Sequence, residues 1–523
     1  MPSLLRSATA LALLANGASA QFARAVAGDG FLAVPVGTVE NPKKDLSKVK
    51  RDDNFLETVL DNKDFWYSTD LGFGNPPQNV TVLVDTGSSH LWINPDCLES
   101  FTTQQARECQ TYGEYDPDDS NTPPVGPFGR ELLRYGDASD TATLTEARLQ
   151  YFADDVWFGG VRLRNQTFGV ATSSSGISQG LFGLGPDLRA GFEGTEPHSL
   201  VLHSMADQGL ISSRVFALDL RHAESQTGAI IYGGIDRNKF IGTLEARPII
   251  TGLDGAVRLT ISMDSIGITL DGETESWELS DDETNVLLDS GSTLTRLHFD
   301  VALPILQALG AEDSGEGYFL TPCSARDTPG SVNFEFGTKT VRVPFSDFII
   351  DLGDPRYCYI GVALTTEQQI LGDTVLRAGY FVFDWDNEQV HVGQAANCGD
   401  SDIVAVGSGR DAVPDVTGNC DESDAIFTGT GRVTRTGGAN ALPTEPVTTT
   451  YTVTSCPPLE QGCETGVVVT ETLNAVRPTV TVTSGAGGNA SEDDDDEDAG
   501  VRPDAMTALL VVGGLMAMGW NLL

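Results

Sequence analysis

Positive charge is scarce in this chain of 523 residues: 32 Lys and Arg stand against 74 Asp and Glu, giving a formal net charge of −42 at pH 7 and a pI near 4.2. Phosphate backbones would be repelled by such a surface, which argues against a nucleic-acid partner. The same imbalance suits work in acid, since much of the charge is protonated below about pH 4 to 5. Histidine is also sparse, and the 6 present form neither a nucleophile–base triad nor a metal spacing. No Gly-rich phosphate loop or other cofactor motif occurs, so neither cofactor nor metal is expected. Cysteine is limited to 8. That even number, all downstream of residue 20, predicts disulfides formed in an oxidising compartment, with the pairing open from spacing alone.

Two segments of the chain are versions of each other: Val82-Leu83-Val84-Asp85-Thr86-Gly87-Ser88-Ser89 and Val286-Leu287-Leu288-Asp289-Ser290-Gly291-Ser292-Thr293. In each, three apolar residues read as a buried strand, and the Gly after the Asp permits a tight turn that aims the carboxylate outward. The turn amides and following hydroxyls can hold that carboxylate. Each copy has a later apolar-apolar-Gly partner at a comparable distance, Leu181-Phe182-Gly183 and Ile370-Leu371-Gly372. One Asp-x-Gly turn would say little. Two, each with its partner, predict two related lobes that each give one Asp to a shared cleft.

These motifs resemble the pepsin-like aspartic proteases, and the likeness runs from about Phe65 to about Gln394. Landmarks in the family's order are Tyr67 to Gln78 for the entry strand and turn, Leu91-Trp92 after the first Asp, Tyr135-Gly136-Asp137 at the flap tip and Gly233-Gly234-Ile235-Asp236 near the lobe junction. The resemblance implies a mainly β, bilobal pepsin-like fold with a cleft between two related lobes, and a monomer acting on protein or peptide substrates. It implies catalytic Asp85 and Asp289, turns shaped by Gly87 and Gly291, lobes bridged by Thr86 and Ser290, and outer carboxylate oxygens held by Ser88 and Ser292. Tyr135 would cap substrate with its hydroxyl near Trp92, the plain alternative being that both are core aromatics. With nearness in sequence, it also favours the disulfides Cys97–Cys109 and Cys323–Cys358. Cys398–Cys420 and Cys456–Cys463 follow from spacing alone.

Two departures stand out. The flap, Tyr135-Gly136-Asp137-Ala138-Ser139-Asp140-Thr141, lacks the family's usual second Gly, and the second motif carries Ser290 where many relatives have Thr. Asp137 and Asp140, with Asp116, Asp118 and Asp119, suggest an acidic cleft rim and a preference for basic residues, although surface acids are more often simply solvated.

Outside the matched region the composition divides the chain further. Residues 1–20 read as a signal peptide, with Arg6, an apolar run and Ala18-Ser19-Ala20 before a cut at Gln21. Residues 21–51 read as a propeptide ending at Lys50-Arg51, a dibasic pair whose alternative reading is a solvated patch. The lobes are expected at 52–240 and 241–398. A Ser/Thr/Gly-rich stalk is expected at 399–491, an acidic spacer at 492–504 and an apolar tail at 505–523. Small residues, polar spacer and apolar tail in that order fit a glycosylphosphatidylinositol attachment signal with Asn489 as the attachment residue; a membrane span is the alternative. Asn79 and Asn165 open glycosylation sequons. This layout resembles the anchored fungal yapsins, and implies routing through the secretory pathway to a cell membrane or wall. The rival function is a catalytically silent binding or structural wall glycoprotein, against which both Asp residues and both following hydroxyls are intact. A glycosidase also uses two carboxylates, but needs them about 5 Å or more apart.

Overall fold

The computed structural model describes residues 66–425, apart from 101–102, 123, 137–143, 189–191, 193–198, 224, 226, 271, 315–316 and 352–355, together with the backbone of six outlying strands. Those strands are Val26–Gly28, Phe31–Val34, Phe55–Asn62, Val447–Thr452, Val468–Leu473 and Thr479–Thr483. The expected signal peptide, Lys50-Arg51, Asp137, Cys456–Cys463, Asn489, the acidic spacer and the apolar tail lie outside the described residues.

The duplication seen in the motifs extends to the sheets around them. In the first lobe Tyr67–Phe73 pairs antiparallel with Gln78–Asp85, which runs parallel to Gly180–Gly183; this pairs antiparallel with Leu91–Ile93, which runs parallel to Val161–Ser175. In the second lobe Thr260–Ser262, Asn285–Leu288, Gln369–Leu371, Thr295–Leu297 and Val362–Leu364 follow in the same order, with the same alternation of antiparallel and parallel pairing. The fold is the expected mainly β, bilobal one. The first Asp-bearing strand is placed by period-two burial, with Val80, Val82 and Val84 at most 1 % exposed while Asn79 faces solvent, whereas Asn285–Leu288 is buried throughout.

A sheet spanning both halves of the chain joins the lobes. Val215–Asp219 pairs antiparallel with Gly379–Asp384, which pairs with Gln389–Ala395, and that in turn with Phe240–Pro248. Both central strands are buried throughout, so they read as continuous apolar runs rather than alternating ones. Their side chains still divide by face. Phe216, Leu218, Phe381 and Phe383 enter the main core, with Phe216 stacked on Phe383 at 4.7 Å, whereas Val215, Ala217, Tyr380 and Val382 enter a second core on the opposite face.

That second core corrects the expected stalk boundary. Residues 399–425 are folded onto the protease body: Ile403–Ala405 pairs with Gly234–Asp236, and Val406, Ala412, Cys420 and Ala425 are all buried. Val406 and Ala412 cover the outer face of the junction sheet, and Cys398–Cys420 closes the segment. The Asp, Gly and Ser of this stretch concealed the apolar residues between them that bury it. Farther on, within the expected stalk, Val447–Thr452, Val468–Leu473 and Thr479–Thr483 form a three-stranded antiparallel sheet. The Thr and Val content of these strands favours that pairing. At the other end, Phe31–Val34 of the expected propeptide pairs with Phe55–Asn62 and, through Leu32, with Tyr232, which adds it to the large sheet.

Candidate active site

Asp85 ends its strand opposite Gly183, and Asp289 directly follows Leu288, which sits opposite Leu371. Each Asp thus lies beside the apolar-apolar-Gly partner of its own motif. Both glycines of this arrangement are required by close approach. A Cβ on Gly183 would stand 2.5 Å from the His90 nitrogen, and one on Gly372 would stand 2.4 Å from the Ser292 carbonyl.

The turns hold the carboxylates in matching ways. Asp85 Oδ1 accepts the Gly87 N–H at 2.8 Å and the Ser88 N–H at 3.2 Å, and Oδ2 accepts the Ser88 hydroxyl at 2.5 Å. Asp289 Oδ1 accepts the Gly291 N–H at 2.8 Å, and Oδ2 accepts the Ser292 hydroxyl at 2.7 Å. The two turns face each other directly: a Cβ on Gly87 would lie 2.5 Å from the Asp289 carboxyl, and one on Gly291 would lie 2.6 Å from Asp85 Oδ1. Behind them, Thr86 Oγ1 donates to the Leu288 carbonyl and accepts the Ser290 N–H, both at 2.9 Å. Ser290 Oγ returns the pattern, donating to the Val84 carbonyl at 3.0 Å and accepting the Thr86 N–H at 3.2 Å.

Burial raises the Asp85 carboxyl to about 7, and repulsion from the neighbouring Asp289 adds to it; the hydrogen bonds from Ser88 and Gly87 work the other way. Two carboxyls so close cannot both ionise cheaply, so the pair holds on to one proton. Above them Tyr135 closes the flap strand Val125–Tyr135, and its hydroxyl accepts the Trp92 indole N–H at 2.8 Å. Burial, and then the nearby Asp85, push the Tyr135 phenol far up, so it stays neutral. Trp92 is fully buried among Ala147, Leu149 and Leu181, with Leu133 and Tyr135 packed alongside.

One group beneath the site was passed over in the sequence. Asp373 follows Gly372 at the start of the short helix Asp373–Leu376, and both its carboxyl oxygens are buried without a hydrogen-bond partner. Burial raises its carboxyl well above the ordinary range, Arg377 opposes, and Asp289 and Asp85 raise it further. Its place directly after the second apolar-apolar-Gly partner was the signal available. The disulfides Cys97–Cys109, Cys323–Cys358 and Cys398–Cys420 are formed. The groupings of Cys323 and Cys358 with Asp351, and of Cys398 and Cys420 with Asp424, therefore offer no thiolates to a metal.

The family model described as eukaryotic aspartyl protease matches residues 66–395. The chain belongs to that family. It is 32 % identical to candidapepsin of Candida tropicalis across 68 % of this chain and 85 % of that protein. It is likewise 32 % identical to candidapepsin-1 of Candida albicans across 76 % of this chain and 98 % of the relative, and to secreted aspartic protease 5 of the same species across 67 % and 81 %. This aspartyl protease is accordingly an aspartic endopeptidase, a hydrolase of peptide bonds.

Proposed function

We propose that Asp85 and Asp289 are the catalytic pair and that they hydrolyse peptide bonds through one activated water. The observation that carries this is the mutual facing of the two turns, in which each motif's glycine lies against the opposite carboxyl. Neutral water attacks an amide poorly, so a base must take its proton while an acid protonates the carbonyl oxygen or the leaving amine. A pair sharing one proton supplies both, the ionised carboxyl acting on the water and the protonated one on the substrate. Gly87 and Gly291 leave room for the second carboxyl, Ser88 and Ser292 orient the outer oxygens, and Tyr135, held by Trp92, covers the bound peptide. Conversion of Asp85 or Asp289 to Asn, with a peptide-cleavage assay and a pepstatin-type inhibitor, tests this. A purified Asp85→Asn enzyme that still cleaves would overturn it. A silent binding protein, the rival reading, would show no cleavage in the parent enzyme at any pH.

The surroundings of the enzyme extend the reading. Activity is expected in acid, a preference for basic side chains is expected from Asp137, and the enzyme is expected to act as a monomer. Exposed Asn79 and Asn165 would carry glycans. Cleavage after Lys50-Arg51 would remove a segment whose strand Phe31–Val34 pairs within the large sheet, so processing would entail displacing that strand. The tail would be exchanged for a lipid at Asn489, leaving the protease at a membrane or wall as in yapsins. Release of active enzyme by phosphatidylinositol-specific phospholipase C supports the anchor, and recovery of Leu523 from mature protein refutes it. Among the described residues no helix is long and apolar enough to cross a membrane.

A further inference from the structure

The residue after the first motif's serines, His90, links the catalytic loop to the flap. Its backbone is fixed: the Gly183 N–H donates to the His90 carbonyl at 3.0 Å, and the missing Cβ of Gly183 leaves the His90 nitrogen its space. The side chain, 11 % exposed, brings Nε2 within 3.4 Å of Glu131 Oε2 on a residue 22 % exposed. His90 Nδ1 lies 3.3 Å from the Ser89 hydroxyl. Glu131 belongs to the flap strand Val125–Tyr135 and, by strand alternation, shares a face with Leu133 and Tyr135. Its carboxylate also accepts the hydroxyl of Tyr151 from the opposite flap strand Thr145–Phe158, and the Tyr151 ring lies 6.4 Å from that of His90. Glu131 therefore ties both strands of the flap stem together and meets a side chain carried by the loop that holds Asp85. It also lies close enough to Tyr135 for its charge to act on that hydroxyl.

We propose that His90 and Glu131 are a positioning pair that holds the flap stem at its closed height over the dyad, so that Tyr135 meets Trp92 and covers bound peptide. Neither residue touches the reacting atoms. His90 Nε2 stands within ion-pair distance of the Glu131 carboxylate in a partly buried place, where such a contact counts for more than one on open surface. A flap that closes less firmly binds substrate more weakly and releases a transition-state analogue faster, while the chemistry at Asp85 and Asp289 goes on unchanged once the complex is closed.

The inference rests on the Asp85–Asp289 reading, and the test keeps the two apart. His90→Ala, Glu131→Gln and the double variant are compared in the full-length protein by kcat, KM and the dissociation rate of a statine-type inhibitor. Glu131→Gln keeps an acceptor for Tyr151, and His90→Gln stands in if His90→Ala does not fold. Each single variant is expected to raise KM and the inhibitor dissociation rate about three- to tenfold, with the double variant no worse than the worse single one. The kcat should stay within about twofold, which a general loosening of the lobe would not spare. Losses that multiply in the double variant, a fall in kcat at unchanged KM, or single variants that match the parent enzyme would each overturn the proposal. A parent enzyme without peptidase activity would instead overturn the dyad reading.

Discussion

Thr86 and Ser290 each place a hydroxyl in the backbone of the other's motif, Thr86 on the Leu288 carbonyl at 2.9 Å and Ser290 on the Val84 carbonyl at 3.0 Å. Both residues are at most 1 % exposed, so removing either hydroxyl leaves a carbonyl and an amide unpaired in a dry junction. Thr86→Ala should lower the unfolding free energy by about 1–3 kcal/mol in urea denaturation. Thr86→Ser, which keeps the oxygen, should stay near the parent value. Equal stability of the two variants would show that the cross-lobe bonds carry no weight.

Replacing either Asp of the pair by Asn keeps its size but ends its exchange of protons. Turnover of a peptide substrate should fall by roughly 10²–10⁴-fold or more, with circular dichroism, and the melting temperature in acid, preserved.

Gly87→Ala and Gly291→Ala should be nearly as damaging to activity, by a different route. The new Cβ would stand 2.5 Å from the Asp289 carboxyl in the first case and 2.6 Å from Asp85 Oδ1 in the second, so the facing carboxyls must separate. Comparison of kcat for the two variants checks this, and ordinary rates in either would mean that the turns can shift without cost.

Stability should decline as pH rises towards neutrality. The Asp85 carboxyl is raised from 3.8 to about 7, so between those values the folded protein binds more protons than the unfolded chain, and the unfolding free energy falls with pH. Asp373, raised well above the ordinary range by burial, acts in the same sense. His391, lowered from 6.5 to about 4 by burial, acts oppositely across most of that range, so the decline should be steepest above pH 6.5. Melting temperatures from pH 4 to 8 should show the decline, and Asp85→Asn should flatten it. A slope unchanged by that substitution would remove Asp85 as its source.

Truncation after residue 425 should leave a stable enzyme, whereas truncation after 400 should not. The shorter chain loses Val406 and Ala412 from the core outside the junction sheet, together with the Cys398–Cys420 bridge. Limited proteolysis and melting temperature of the two secreted forms would distinguish them.

The pair of Asp turns, their apolar-apolar-Gly partners and the two-lobed fold were legible because a duplicated motif fixes local geometry twice over. The roles of Gly183 and Gly372 were legible only as pattern; the reason, backbone passing 2.5 Å and 2.4 Å from a missing Cβ, needs coordinates. His90 and Glu131 were not legible, since they are joined only by the folding of a hairpin back over a loop. Asp373 was hidden likewise, because in so acidic a chain only its place after Ile370-Leu371-Gly372 sets it apart from the many solvated carboxyls. Residues 399–425 were misread because Asp, Gly and Ser together make up about half of them, while the apolar side chains between decide their packing.

That strap has a mechanical meaning. Ala425 forms a bridge with Ala396, and the preceding covalent link at Cys420 leads to Cys398, just past the end of the junction strand Gln389–Ala395. Tension applied at Ala425 would enter through this clasp, at the seam between the lobes, rather than through the flap or the Asp turns. A protease pulled at this clasp would keep its cleft unloaded.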